Sequence, residues 1–223
     1  MLVVMAGLPG TGKSALARAA AGRVGGAVLD KDPIRAALFA PADVAYSAQQ
    51  DDFVMELMLE TARWHWQQAP SRIVFLDGRT FSRAYQRERA VAAAERWLMV
   101  ECRCRPETAL ARIEADRTHP AANRTAVLYH QVAAHFEPIA EPKLVIDTDL
   151  PFETCVNLWC EEYYNSFWQG GPIGPAVYQR YGSDSIDYYW GLDKPISQVD
   201  RADNWAGRFR RRQLVLHRLE QPG

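Results

Sequence analysis

The chain has 223 residues, of which 48% are hydrophobic and 24% charged, and these ordinary globular values exclude disordered and fibrous classes. It carries 26 Lys and Arg against 27 Asp and Glu, a formal net charge of −1, which argues against a sequence-independent nucleic-acid coat. The apolar start lacks the basic region of a signal peptide, and no run is long enough to span a membrane. We therefore expect a cytoplasmic protein.

Five short, nearly continuous apolar runs alternate with helical patterns, which is typical of an α/β fold with a parallel sheet buried on both faces. The predicted strands are residues 2–6, 27–30, 72–77, 98–102 and 143–147. The predicted helices are residues 13–22, 47–68, 82–96, 106–116, 124–136 and 151–168. Ser47 is the predicted N-cap of the second of these helices.

The segment between the first strand and the first helix fits the pattern G-x-x-x-x-G-K-[ST] at every fixed position. Glycines in such a loop let backbone N–H groups surround phosphate oxygens. We expect Lys13 to reach the outer phosphates and the Ser14 hydroxyl to ligate Mg²⁺. The motif therefore predicts a site for a nucleoside triphosphate, taken as ATP, with magnesium. Its residues, called the phosphate loop below, are Gly7, Leu8, Pro9, Gly10, Thr11, Gly12, Lys13 and Ser14.

Two carboxylates and an arginine follow the second predicted strand. Because the carboxyl ends of parallel strands share one edge of the sheet, Asp30 and Asp32 are expected beside the phosphate loop. Asp32 can accept the proton of an attacking hydroxyl, and Arg35 can hold an acidic part of the substrate. The alternative is a helix start, with Asp32 as N-cap, Pro33 at the first helical position and Arg35 solvated.

The third predicted strand ends in Asp77, which can order Mg²⁺ or its water as the acidic residue of a nucleotide-binding strand does. Gly78 permits close backbone approach. The candidate acceptor-site residues around it are Asp77, Arg79, Thr80 and Arg83. For each arginine of the segment that follows, a solvated helix face is favoured over a functional role: Arg83, Arg87 and Arg89.

An arginine-rich segment precedes the fifth predicted strand and contains Arg112, Arg117 and Arg124. A break near residues 118–122 predicts two helices joined by a turn, which is the shape of a mobile lid at about residues 112–136. Arginines carried over the phosphates on closure stabilise transition-state charge and exclude water. Arg117 is the predicted catalytic arginine, and the alternative is that all are surface arginines on two ordinary helices.

Together these motifs resemble the small P-loop kinases, in particular the branch of polynucleotide 5′-kinases, zeta toxins and chloramphenicol phosphotransferase. The resemblance covers roughly residues 1–160. It implies a P-loop NTPase-type three-layer αβα fold that uses ATP and Mg²⁺. It also implies that Asp32 is the general base, that Arg35 binds substrate or phosphate, and that the adenine lies near Thr148 in the loop after the fifth strand.

The pattern changes after about residue 165, where glycines and prolines give way to an aromatic-rich stretch. We therefore predict a kinase domain at residues 1–165 and a C-terminal extension at 166–223. The extension has too many large rings for a disordered tail, so we expect it to pack on the domain or on a second subunit, which makes a homodimer plausible.

Three functions remain open from the sequence. The first is an ATP-dependent kinase acting on a hydroxyl of a small molecule. The second is a polynucleotide 5′-hydroxyl kinase, for which the basic cluster at 208–212 could track a backbone, although the near-zero net charge argues against a nucleic-acid partner. The third is a nucleotide-dependent switch or ATPase without kinase activity. It ranks lowest because Asp77 is followed by Gly78 rather than by a carboxylate that would position water.

Overall fold

A computed structural model of the protein describes residues 1–116 and 123–168, with side chains through residue 163. Residues 1–163 form one compact unit. The predicted lid arginine Arg117, the aromatic extension beyond residue 168 and the basic cluster at 208–212 lie outside the described residues. Within the described part of the chain, no helix has the length and apolarity needed to cross a membrane.

All five strands pair in parallel in one sheet, which confirms the predicted α/β architecture. The order across the sheet is β2-β3-β1-β4-β5, so β1 lies at the centre between β3 and β4. The strands are β1 (Leu2–Ala6), β2 (Ala27–Asp30), β3 (Val74–Asp77), β4 (Trp97–Arg103) and β5 (Lys143–Asp147).

Seven α-helices occur in the described residues, one more than the sequence patterns predict. The additional helix, α2, corresponds to the helix start predicted at Asp32 as the alternative, and it starts directly after β2 without a loop. Ser47 caps α3 by accepting a hydrogen bond from the Gln50 N–H at 3.2 Å, as predicted. The helices are α1 (Lys13–Val24), α2 (Lys31–Leu38), α3 (Ala48–Gln68), α4 (Ala84–Ala92), α5 (Pro106–Ala115), α6 (Ala126–Ala134) and α7 (Phe152–Trp168).

The core lies on both faces of β1, whose five residues are all fully buried. Alternate residues of a strand face opposite sides, and Leu2, Val4 and Ala6 join the apolar cluster that α3 and α4 contribute to one face. Trp159 of α7 packs its ring against Phe75 of β3 with centroids 5.3 Å apart. This burial on two sides explains why the strands read as continuous apolar runs.

The carboxyl ends of β1, β2 and β3 bring the predicted site residues to one edge of the sheet. Asp30 and Asp77 are register partners at the ends of β2 and β3. The phosphate loop starts immediately after β1, and the Gly7 N–H donates to the Thr80 carbonyl at 3.0 Å. The loop after β3 is therefore fixed to the phosphate loop by a backbone hydrogen bond.

Candidate functional site

The phosphate loop has a backbone that requires glycine at three positions, which are the two fixed glycines of the motif, Gly7 and Gly12, and Gly10 between them. Gly7, Gly10 and Gly12 have φ values of 135°, 81° and 79°, a region that residues with a Cβ rarely adopt. A Cβ at Gly7 would lie 2.3 Å from the Cys102 carbonyl oxygen, and one at Gly10 would lie 2.4 Å from the Ala109 carbonyl oxygen. The loop is thus packed tightly against both β4 and α5.

The Lys13 ammonium lies inside this loop. Its Nζ donates to the carbonyl oxygens of Gly7 at 2.9 Å and Leu8 at 2.7 Å. Burial lowers the pKa of Lys13, and the nearby negative charge of Asp77 opposes that shift. A buried cation whose hydrogen bonds go to carbonyl dipoles is prepared to exchange them for the stronger charge of phosphate oxygens.

Asp77 is the second buried charge beside the loop. Its side chain is fully buried, and neither carboxylate oxygen has a hydrogen-bond partner among the described residues. Burying an unpaired carboxylate is costly, so such a group fits a site that a cation or its water completes. Oxygen ligands of this kind suit Mg²⁺, and the position is therefore consistent with the predicted metal role of Asp77.

Asp30 lies next to Asp77 and differs from it in having a defined structural role. It is the N-cap of α2, where its Oδ1 accepts from the Asp32 N–H at 3.1 Å. The alternative prediction that Asp32 is this N-cap is therefore wrong: the helix starts two residues earlier, at the end of β2. Burial, followed by the charge of Asp77, raises the pKa of Asp30 to about 6.

Asp32 lies in the first turn of α2, where two cations hold it. Its Oδ1 lies 3.7 Å from Lys31 Nζ and 3.6 Å from Arg35 Nη1. The charge of Asp32 also favours the protonated form of Lys13 and so opposes, more weakly than Asp77 does, the lowering of the Lys13 pKa by burial. Burial lowers the pKa of Lys31 to about 8, and the charge of Asp32 opposes that shift.

Arg35 is buried rather than solvated, with 2% of its surface exposed. It pairs with Asp51 of α3 and lies 5.1 Å from the centre of the Tyr46 ring. Asp51 also accepts from Lys31 Nζ at 2.9 Å. One carboxylate of α3 thereby links two cations of α2.

Arg79 completes this group from the loop after β3. It is 5% exposed, and its Nη2 donates to Asp52 at 2.6 Å and to the Tyr85 hydroxyl at 3.4 Å. Three elements thus bring together a set of charges that we call the α2–α3 charge cluster: Lys31, Asp32, Arg35, Asp51, Asp52 and Arg79.

Thr148 lies after β5 and is bonded to the base of the phosphate loop. Its hydroxyl oxygen lies within hydrogen-bond distance of two carbonyl oxygens, that of Thr11 at 3.0 Å and that of Arg103 at 3.1 Å, and it donates its one hydrogen to this pair. Arg112 of α5 donates to the Thr148 hydroxyl at 3.0 Å and to its carbonyl at 2.7 Å. An open cleft of about 280 Å³, with mainly apolar walls from α1, the β5–α7 turn and α7, lies beside this pair.

The arginines of the predicted lid are in different environments. Arg112 is tied to Thr148 and lies 3.5 Å from the Gly10 carbonyl oxygen, so it braces the phosphate loop. Arg124 pairs with Asp116 at 2.5 Å. The helices α5 and α6 end and begin on either side of the predicted break, and Arg117 falls within the undescribed residues between them.

The interpretation of Arg87 as a solvated residue is wrong. Arg87 is 2% exposed and donates to the Glu141 carboxylate at 3.0 Å and to the Phe81 carbonyl at 3.0 Å. Phe81 is itself buried and has a φ of 50°, so Arg87 holds a strained turn beside Thr80. The helical spacing alone favours an exposed face for Arg87. Its partner Glu141 lies 54 residues further along the chain, and nothing in the sequence indicates that the two meet.

Sequence reasoning missed Asp51 and Asp52 as site residues. Asp51 lies in the first turn of α3, where acidic residues are commonly explained by the helix dipole, and Asp52 follows it directly. The adjacent pair of carboxylates is the one sequence signal that could have indicated them.

Residues 2–139 match a protein family whose description is an AAA domain, and this match covers more than half of the 223-residue chain. No curated protein matches the chain significantly.

Several solved structures have a similar fold. A sugar kinase from Janibacter sp. HTCC2649 superimposes with a TM-score of 0.55 at 16% identity, covering 70% of this chain and 90% of its own. A gluconokinase from Sinorhizobium meliloti 1021 gives a TM-score of 0.55 at 15% identity, and the match covers 76% of this chain and 97% of the gluconokinase. The APS kinase CysC of Mycobacterium tuberculosis, in complex with AMPPNP and APS, gives a TM-score of 0.53 at 18% identity. This match covers 72% of this chain and 95% of the APS kinase. At these identities the similarity establishes the P-loop kinase fold.

Proposed function

This chain belongs to the AAA domain family, and on that premise we propose that it is an ATP-dependent phosphotransferase that moves the γ-phosphoryl group to a hydroxyl of a small-molecule acceptor. The observation that carries the proposal is a complete phosphate loop facing the buried, unpartnered carboxylate of Asp77. The proposed kinase domain covers residues 1–165, with the lid at about 112–136.

The donor side of the site binds the triphosphate. The backbone N–H groups of residues 7–14 and the N-terminus of α1 surround the phosphates, and Lys13 exchanges its two carbonyl partners for phosphate oxygens. Ser14 and Asp77 would hold Mg²⁺, which neutralises the developing charge on the transferred group. Arg117, outside the described residues, is the proposed catalytic arginine of the lid.

The cleft beside Thr148 is the proposed site of the adenine. Apolar walls suit a purine ring, and the Arg112–Thr148 hydrogen bonds keep the cleft in a fixed position relative to Gly10 and Thr11. Because the contacts to Thr148 are already made within the chain, its proposed role is to shape this cleft as well as to border the nucleotide.

On the acceptor side, Asp32 is the proposed general base and accepts the proton of the attacking hydroxyl. Phosphoryl transfer needs mainly positioning and charge neutralisation, and Asp32 lies near Lys13 while two cations fix its orientation. Arg35, Arg79 and Thr80 border the proposed acceptor site. Asp77 lies between the donor and acceptor sides.

The proposal is tested by incubating the protein with radiolabelled ATP, Mg²⁺ and a panel of sugars, polyols, nucleosides, aminoglycosides and 5′-hydroxyl oligonucleotides. Transfer to a small molecule supports it. Exclusive transfer to oligonucleotides, with binding that weakens steeply with salt, would replace it with the polynucleotide kinase function. ATP hydrolysis unaffected by every acceptor would favour a switch or ATPase.

A further inference from the structure

The α2–α3 charge cluster contains three buried cations that are each already paired with a carboxylate. Lys31 and Arg35 pair with Asp51, and Arg35 also lies 3.6 Å from Asp32. Arg79 pairs with Asp52 at 2.6 Å. Since Lys31, Arg35 and Arg79 face an equal number of aspartates, the formal charge of the cluster is zero.

This balance has a consequence for what can bind there. A buried cation without a partner is strongly unfavourable, so the aspartates of α3 neutralise Arg35 and Arg79 before any ligand arrives. An anionic ligand would have to displace Asp51 or Asp52, or leave an uncompensated negative charge beside Asp32. A neutral ligand avoids both costs.

The cluster still offers hydrogen bonds to a neutral ligand. A carboxylate has about four lone-pair sites, and Asp51 and Asp52 use only part of theirs on arginine and lysine. The Nε groups of Arg35 and Arg79 are buried and lack a hydrogen-bond partner within residues 1–116 and 123–163. Hydroxyl groups, which both donate and accept, match carboxylates and guanidinium N–H groups set side by side.

Building on the phosphotransferase function proposed above, we propose that the acceptor is an uncharged polyhydroxyl compound, a sugar or polyol. Asp51 and Asp52 select it by neutralising Arg35 and Arg79. The sequence taken alone led to the opposite expectation, in which Arg35 holds an acidic part of the substrate. The expectation is reversed by Asp51, the partner of Arg35, which lies on a different helix, α3.

The test compares matched acceptors that differ in one charge, such as glucitol with gluconate, or a free hexose with its 6-phosphate. Transfer from radiolabelled ATP gives kcat/KM for each member. Calorimetry in the presence of AMPPNP and Mg²⁺ gives the dissociation constant of each acceptor. We expect the neutral member to be used at least about 10-fold better, which is the discrimination that one unfavourable charge contact provides.

Asp51→Asn and Asp52→Asn then test the selecting residues. Asp52→Asn leaves Arg79 without its carboxylate. Asp51→Asn removes the carboxylate that Lys31 and Arg35 share, so that only Asp32 remains near them. In both variants the ratio of acid to neutral acceptor should therefore rise by about 10-fold or more. Glu60→Gln is the matched control: Glu60 lies on the same helix and pairs with Arg63 at 2.5 Å on the surface, so its ratio should equal that of the wild type.

The outcomes separate this inference from the function on which it rests. Preference for the acidic members in the wild type would overturn the inference and leave the phosphotransferase intact. An unchanged ratio in folded Asp51→Asn and Asp52→Asn would show that these residues do not select. If one variant does not fold in a thermal melt, the other and the wild-type comparison decide. If no member of the panel is either phosphorylated or bound, both proposals are rejected.

Discussion

The donor and acceptor sides of this site are constructed in different ways. On the donor side, the phosphate loop takes its shape from hydrogen bonds within a few residues: Lys13 donates to Gly7 and Leu8, and the Thr11 hydroxyl donates to Leu8 at 2.8 Å. Contacts from Thr80, Arg112 and Thr148 then fix the loop to the rest of the domain. On the acceptor side, the α2–α3 charge cluster joins side chains from α2, α3 and the loop after β3. One side depends on backbone geometry, and the other depends on charge balance between distant segments.

This difference predicts different consequences of substitution. Changes on the donor side should act on the chemical step or on backbone packing, because that side has few alternative contacts. Changes in the charge cluster should act on acceptor choice and electrostatics, except at Asp32, where the loss of the proposed general base should lower turnover. The predictions below test that contrast, from the largest expected effect to the smallest.

Replacing Lys13 with Ala should lower phosphoryl transfer by roughly 10³-fold, because it removes the cation that contacts the outer phosphates. Turnover with saturating acceptor measures the effect. Lys143→Ala, which removes a lysine bonded to Ile139 away from the loop, should retain nearly full activity. Equal turnover in Lys13→Ala and the wild type would refute the donor-side assignment.

Replacing Asp32 with Asn should lower turnover by roughly 10²-fold while ATP affinity stays nearly constant, because a general base is lost but the nucleotide contacts remain. Calorimetric ATP titration and steady-state kinetics give the two values. The exposed Asp43→Asn variant is the control. If Asp32→Asn instead weakens ATP binding at normal turnover, Asp32 belongs to the donor side.

Replacing Gly10 with Ala should lower the free energy of unfolding by about 1–3 kcal/mol, because the left-handed φ is strained for Ala and the new Cβ would approach the Ala109 carbonyl. Gly22→Ala is the matched control, since it lies in α1 with open space around its Cβ. It should stabilise the protein by about 0.5–1 kcal/mol. Urea unfolding that gives both variants the same stability would contradict the tight packing of the loop.

Replacing Asp30 with Asn should stabilise the nucleotide-free protein above neutral pH. The raised pKa of Asp30, about 6 in the folded chain against 3.8 ordinarily, means that the folded state binds the proton more tightly than the unfolded state. Its contribution to stability therefore falls as pH rises from about 4 to about 6. Asn still caps α2 but does not titrate.

The two stability curves should coincide near pH 4 and separate by about 1 kcal/mol above pH 7, a value reduced for the partial exposure of the side chain. Urea unfolding across this pH range measures the separation. A constant offset between the Asp30→Asn and wild-type curves would mean that Asp30 does not titrate in this window.

Much of the fold could be predicted from the sequence. The five strands were identified because each is a short apolar run, and the phosphate loop because its glycines occupy fixed positions. The helix α2 was given only as an alternative, with its start placed two residues late, since it follows β2 without a loop. Arg87 was misinterpreted because its partners at Glu137, Pro138 and Glu141 are more than 50 residues distant.

The sequence by itself determined the strands, the Ser47 cap and the glycine-dependent phosphate loop, because each depends on interactions within a few residues. The tertiary structure decided the strand order, the unpartnered burial of Asp77, the bracing of Gly10 by Arg112 and the pairing of Arg35 and Arg79 with α3. Those features depend on the packing of α3 and the sheet edges, which brings opposite charges together across long stretches of chain. For this reason the donor half of the site is visible in the sequence, whereas the charge balance of the acceptor half emerges only in the folded protein.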